Sequence, residues 1–243
     1  MFENYFFYLI IFFLVVVQSI AGVGILVIGT PILLTLQFNI IEVLSILLPI
    51  SITTSLLNYL FLKIKKNKIK IDINLKKLFV FICVPSIFLG LLVLKNFGEM
   101  MNFKFIVAGV IIGSVILSIV FKKKTITNYS KVIFLISVGF VHGLTNSGGS
   151  LLSLLLSSQN KKNYSRYNIT FFYLFLALFQ YIIFLIIFNN SINKDYYNIK
   201  ILFIIIVASL IGNFFVKYLN DKFFKILINI LAITASVALI SLN

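Results

Sequence analysis

Eight apolar runs divide the chain, at about residues 4–36, 40–62, 78–94, 103–121, 132–158, 168–189, 199–216 and 223–242, separated by short polar linkers. A membrane-spanning helix takes about 20 apolar residues, and six of the runs have that length. The first and fifth are longer. At roughly 33 and 27 residues they would reach about 50 and 40 Å as straight helices, against a hydrocarbon core of about 30 Å.

Both long runs are interrupted near the middle. The first holds Ala21-Gly22-Val23-Gly24 and then Gly29-Thr30-Pro31; the fifth holds Gly143-Leu144-Thr145-Asn146-Ser147-Gly148-Gly149-Ser150. Glycine, proline and short polar residues break helices, so each run predicts a broken or re-entrant helix and not one rod. Each also opens a block of one long run and three ordinary ones. The expectation is an all-α integral membrane protein of two repeats with about four apolar segments each, residues 1–124 and 125–243. Ser86-Ile87-Phe88-Leu89-Gly90 late in the first block and Ser209-Leu210-Ile211-Gly212 late in the second strengthen the correspondence.

Composition narrows the class. The 243 residues are 61% hydrophobic and 11% charged, with a mean hydropathy of +1.13, so the chain needs a bilayer as solvent and leaves no linker for a soluble domain. A net charge of +15 raises nucleic acid as a partner. The lysines sit in brief loops between apolar runs, where cytoplasmic loops collect them, and nucleic-acid binding is not expected. Cys83 is the only cysteine and lies in an apolar run, which excludes an intrachain disulfide and a Cys-based metal site. No cofactor is expected. Ser19-Ile20-Ala21 faintly resembles a signal-peptidase site, but the first residues carry Glu3 and no Lys or Arg, so the N-terminus is read as retained.

The lysines also bear on topology. If each long run crosses once, the two faces carry 13 and 8 basic residues. If each long run turns at its Gly-rich centre and leaves on the side it entered, the loops at 63–77, 122–131, 161–166 and 217–225 share one face. That face then has seventeen basic residues, and Lys95, Lys104, Lys194 and Lys200 lie opposite. Lysine-rich loops belong in the cytoplasm, so hairpins are favoured, and three full spans per half invert the second repeat relative to the first. Inverted repeats are a common plan of secondary transporters.

Irregular backbone at membrane depth survives only where protein or an aqueous cavity satisfies it. Two breaks in corresponding places therefore predict a central site, lined by Gly22, Gly24, Asn146, Ser147, Gly148, Gly149 and Ser150. Helices restarting after each break would aim N–H groups and a positive dipole end at it, which suits an anion. A plainer reading is that the glycines let helices pack closely, though packing does not call for Asn146, Ser147 and Ser150 beside them. His142, the only histidine, precedes the second break and is a candidate for proton coupling, set against the commoner packing role. Gln18, Ser19, Ser51, Thr53, Thr54, Ser55, Asn58, Thr170 and Gln180 are further uncharged donors in or near spans; many will bond to backbone carbonyls one turn away. Glu42 reads as a helix cap. No acidic pair, zinc motif or separately placed base marks an enzyme.

These motifs resemble the sulfite exporter TauE/SafE family of membrane permeases. Its repeats open with a pattern similar to G-x-x-G-x-G-G-G, followed by Pro-x-Leu. Here the first half reads Ser19-Ile20-Ala21-Gly22-Val23-Gly24-Ile25-Leu26 with Pro31-Ile32-Leu33 after it, and the second reads Gly143 to Ser150. Ile25 and Leu26 stand in place of two glycines, Asn146 in place of another, and Leu155 where proline would follow. The resemblance implies a secondary transporter in the bacterial plasma (inner) membrane, exporting sulfite, sulfonates or related sulfur-containing or organic anions, often linked to the proton gradient. Expected partners are a small anion and the lipid bilayer, and a homo-oligomer is compatible with the pattern. The alternative class is a membrane scaffold or assembly factor that moves no solute; the scarcity of extramembrane sequence argues against it.

Overall fold

In a computed structural model the chain is described at residues 4–65, 71, 73–120, 128–157, 162–188 and 198–220, with scattered positions between 226 and 241. Most of the last apolar run, 223–242, and half of the lysines lie outside the described residues. Among the described residues every regular element is a helix: α1 (Asn4–Ala21), α2 (Ile25–Thr35), α3 (Ile40–Lys65), α4 (Ile73–Leu78), α5 (Val84–Phe97), α6 (Phe103–Val120), α7 (Asn128–Thr145), α8 (Gly149–Ser157), α9 (Lys162–Ile187) and α10 (Ile199–Phe215). A π-helical turn over Phe79–Cys83 joins α4 to α5, with the Val84 N–H bonded to the Phe79 carbonyl.

Four helical stretches are long and apolar enough to cross a membrane, Ile40–Ile64, Asn74–Met100, Asn163–Ile187 and Ile199–Tyr218. The faces of these and of the shorter apolar helices α1 and α7 are sorted for lipid. Phe13, Leu56, Leu60, Phe81, Ile186 and Phe203 are exposed, while Gln18, Ser51, Asn58, His142, Arg166 and Gln180 are buried. A water-soluble protein sorts its residues the other way. The protein is a multi-pass integral membrane protein.

Both long runs break where the glycines stand, and both fold back. A Cβ on Gly29 would lie 2.9 Å from Leu14 Cδ1, although those residues would be about 22 Å apart on one straight helix. A Cβ on Gly148 would meet the Val138 carbonyl oxygen at 2.3 Å. α2 and α8 are therefore short return helices, packed on α3 and α9 respectively.

The long helices α3 and α9 lie side by side. Tyr59, late in α3, packs in tilted ring contacts against Tyr167 and Phe171, early in α9, so the two run in opposite directions. α1 lies along α10 and α7 along α5, each pair closed by glycine. A Cβ on Gly90 of α5 would stand 2.3 Å from the Phe140 carbonyl oxygen of α7, and one on Gly212 of α10 would stand 2.7 Å from the Val16 carbonyl oxygen of α1. Backbones this close allow dense dispersion contact, the main source of helix association in lipid.

α9 begins at Lys162, several residues before the apolar run at 168, and takes in part of the segment 161–166 read as a loop. Ser165, Arg166 and Asn168 are buried; their polarity reads as a loop in sequence, but neighbouring helices cover them. Glu42 is a cap as expected, exchanging bonds with Asn39 at 3.0 and 2.9 Å.

Candidate functional site

The first turn passes through Gly22, whose φ of 83° lies in the left-handed region that glycine alone enters freely. A Cβ there would also approach Thr170 Oγ1 at 2.9 Å and the Arg166 carbonyl oxygen at 3.3 Å. Beyond it α2 restarts with its first amides already held. Gln18 Oε1 accepts from the Ile25 N–H at 3.1 Å, and the Tyr173 hydroxyl accepts from the Leu26 N–H at 3.1 Å. Gln18 is locked in turn by α3: its Nε2 donates to the Ser51 carbonyl at 3.0 Å and to Ser55 Oγ at 2.9 Å.

The second turn uses Asn146 where the first uses Gly22. Its φ is 63°, which asparagine tolerates better than other side chains do. Its N–H donates to the His142 carbonyl at 2.9 Å, and its Nδ2 donates to Thr30 Oγ1 at 3.1 Å. Ser147 Oγ turns to the Thr145 carbonyl at 3.2 Å, and Ser150 Oγ to the Ser147 carbonyl at 2.8 Å. Gln180 Nε2, from α9, donates to the His142 carbonyl at 2.8 Å.

The two turns meet. A Cβ on Gly149 would lie 2.4 Å from the Tyr173 ring and 2.8 Å from Val23; the Asn146–Thr30 bond crosses the same junction. Tyr173 stands between the turns, its hydroxyl on α2 and its ring on α8. Gly22, Gly24, Asn146, Ser147, Gly148 and Gly149 are all buried here, Ser150 is half-buried, and His142 is buried one turn before Asn146.

Beside the first turn lies a polar network that joins four helices. Arg166 Nη2 donates to the Ser19 carbonyl and, at 2.7 Å, to Asn213 Oδ1. Asn213 Nδ2 donates to Asn58 Oδ1 at 2.6 Å and to the Ser209 carbonyl at 2.8 Å. Asn58 Nδ2 closes the circuit on Ser19 Oγ at 3.1 Å.

Several buried polar atoms have no partner among the described residues: Arg166 Nε, Thr170 Oγ1 and Ser209 Oγ in the helices around the first turn, and both His142 ring nitrogens, Gln180 Oε1 and Asn146 Oδ1 by the second. Each such atom costs about 1–3 kcal/mol when left unmatched. Seven in a few helical turns is a concentration that close packing alone does not require.

The sequence patterns therefore locate both turns, His142 and several of the surrounding amides. They miss Arg166, which lies in a polar segment that reads as a loop, and Tyr173, one aromatic among many in an apolar run. Thr30 reads in sequence only as part of the first break. A Gly-rich break identifies where a helix must open, whereas the residue that fills the opening comes from a helix distant in sequence.

No curated protein and no solved structure matches the chain. The sequence pattern of one family of membrane permeases spans residues 7–239, which takes in both turns and the helices that carry their partners. The chain belongs to the sulfite exporter TauE/SafE family.

Proposed function

We propose that the protein is a secondary transporter of small anions, sulfite, sulfonates or related sulfur-containing or organic anions, working by alternating access in the bacterial inner membrane. The observation that carries this reading is the meeting of two chain breaks, at Gly22–Gly24 and Asn146–Gly148, amid buried polar atoms with no described protein partner. Substrate is held where the turns meet, by the second side-chain amide hydrogen of Asn146, by the Ser147 and Ser150 hydroxyls once they turn from the carbonyls they now bond, and by amides of the turns themselves, with Gly22, Gly24, Gly148 and Gly149 keeping the backbone within reach. The amides of Ile25 and Leu26 serve the frame, since Gln18 and Tyr173 already occupy them.

Residues 1–124 and 125–243 act as two inverted repeats. Support comes from positions about 122–124 residues apart that do the same work: Gly22 and Asn146 in left-handed turns, and Gly90 on Phe140 and Gly212 on Val16 as close-packing pairs. The opposite directions of α3 and α9 fit the same relation. Each long run is then a re-entrant hairpin entering from its own side, and the Lys-rich loops face the cytoplasm. Rocking one repeat against the other exposes the junction to each side in turn. His142, with its ring nitrogens at the junction, couples movement to protons.

Uptake and counterflow in proteoliposomes test this directly, with labelled sulfite, thiosulfate, small sulfonates and carboxylates, with and without an imposed pH gradient. Saturable movement of one anion class is expected. Correctly inserted, folded protein that moves none of them would overturn the proposal in favour of a non-transporting scaffold.

A further inference from the structure

The orphaned atoms at the two turns differ in chemical sense. Around the second turn, Gln180 Oε1 and Asn146 Oδ1 are acceptors, set beside an imidazole. The Gln180 assignment is firm because its Nε2 must donate to the His142 carbonyl. On the helices that pack beside the first turn the free atoms are Arg166 Nε and Thr170 Oγ1 of α9 and Ser209 Oγ of α10, one obligate donor and two hydroxyls able to donate. Donors gathered around a fixed positive charge select an acceptor-only ligand.

Arg166 is 5% exposed, and the described carboxylates, Glu42 and Glu99, lie exposed elsewhere. Its two bonded partners, the Ser19 carbonyl and Asn213 Oδ1, are neutral and both fall on Nη2. Among the described residues Arg166 therefore has no counter-charge, and an uncompensated buried charge is costly and in membrane proteins marks a substrate or ion path. Thr170 sits one helical turn on along α9, and both it and the Arg166 backbone border Gly22 where a side chain would intrude.

We infer that Arg166, with Thr170 beside the Gly22 turn and Ser209 one helical turn before its partner Asn213, forms the charged half of the anion site and takes a monoanionic oxyanion, a sulfonate or bisulfite-like group. The inference deepens the transport reading and rests on it. One guanidinium neutralises one negative charge; a dianion would leave a net charge buried in the bundle and is disfavoured for that reason. Arg166 lies near the start of α9, where the adjacent Tyr167 packs on Tyr59 late in α3, the end that leads into the Lys-rich segment 63–77. The site is therefore the cytoplasmic loading point, where an exporter collects its substrate.

The test uses the full chain in nanodiscs, with methanesulfonate as the monoanion and sulfate as the dianion, binding read by calorimetry and folding by thermal unfolding. Wild type is expected to bind methanesulfonate and to bind sulfate at least tenfold more weakly. Arg166→Gln should weaken methanesulfonate by about a hundredfold, and Arg166→Lys should restore part of the loss. Because Arg166 also ties α9 to α1 and α10, Asn213→Asp provides the discriminating variant. It places a carboxylate against the guanidinium at the position of the present 2.7 Å bond, and should abolish anion binding in protein that remains folded. Methanesulfonate binding unchanged in folded Arg166→Gln or Asn213→Asp would overturn the inference while leaving the transport reading intact, and equal binding of sulfate would overturn the monoanion assignment. Wild type that neither binds nor moves any anion would overturn both readings.

Discussion

Asn146 donates its side-chain amide to the Thr30 hydroxyl at 3.1 Å, tying the turn of the second broken run to the short return helix of the first. The two residues are 116 positions apart in sequence, and their bond lies at the junction where both turns are buried. Asn146 also holds a left-handed φ of 63°. The two properties separate by mutation. Asn146→Gly keeps the turn and loses the bond, and should fold while transporting poorly; Asn146→Val loses both, and should lower stability by about 2–3 kcal/mol from backbone strain and the lost bond. Thermal unfolding beside proteoliposome uptake measures the pair, and full transport by folded Asn146→Ala, Ser147→Leu protein would remove these residues from the site.

The glycines divide into those that hold helices together and those that do not. Gly90 and Gly212 press against carbonyl oxygens of the neighbouring helix, whereas a Cβ on Gly109 or Gly113 meets nothing within 4 Å. Alanine at Gly90 or Gly212 should cost about 1–3 kcal/mol through overpacking. Alanine at Gly109 should be neutral or stabilise by up to about 1 kcal/mol, because glycine within a helix carries an entropic penalty. Detergent-solubilised protein melted in parallel would show the contrast, and equal shifts would contradict it.

Topology is open to labelling. In a Cys83→Ala background, which removes the one buried thiol, cysteines at Lys63 and Lys217 should react from the cytoplasmic side, and those at Lys95 and Lys200 from the opposite side. All four lysines are exposed. Labelling of 63 and 217 from opposite sides is incompatible with two hairpins and an inverted second half.

His142→Gln tests coupling apart from binding. The variant keeps the backbone carbonyl that accepts from Gln180 and Asn146 but removes the titratable ring. Anion counterflow should persist, while accumulation driven by an imposed pH gradient should be lost. Accumulation at the wild-type level would return His142 to a packing role.

The amino-acid sequence by itself determined the solvent, the eight apolar runs and the two places where the chain cannot continue as a helix. Those are local consequences of hydrophobicity and of backbone freedom, and Gly22 and Asn146 carry them wherever the rest of the chain goes. It also marked Gly90 and Gly212 as alike without showing what they press against. Tertiary structure alone decided that the two breaks touch, that Tyr173 stands between them, and that Arg166 is a buried charge and not a loop lysine's neighbour. Hydropathy registers that Ser165, Arg166 and Asn168 are polar; it cannot register that α1 and α10 supply the Ser19 carbonyl and the Asn213 amide that let Arg166 remain inside. Whether a polar residue in an apolar chain ends a helix or builds a site depends on partners that only the packed bundle brings within hydrogen-bonding distance.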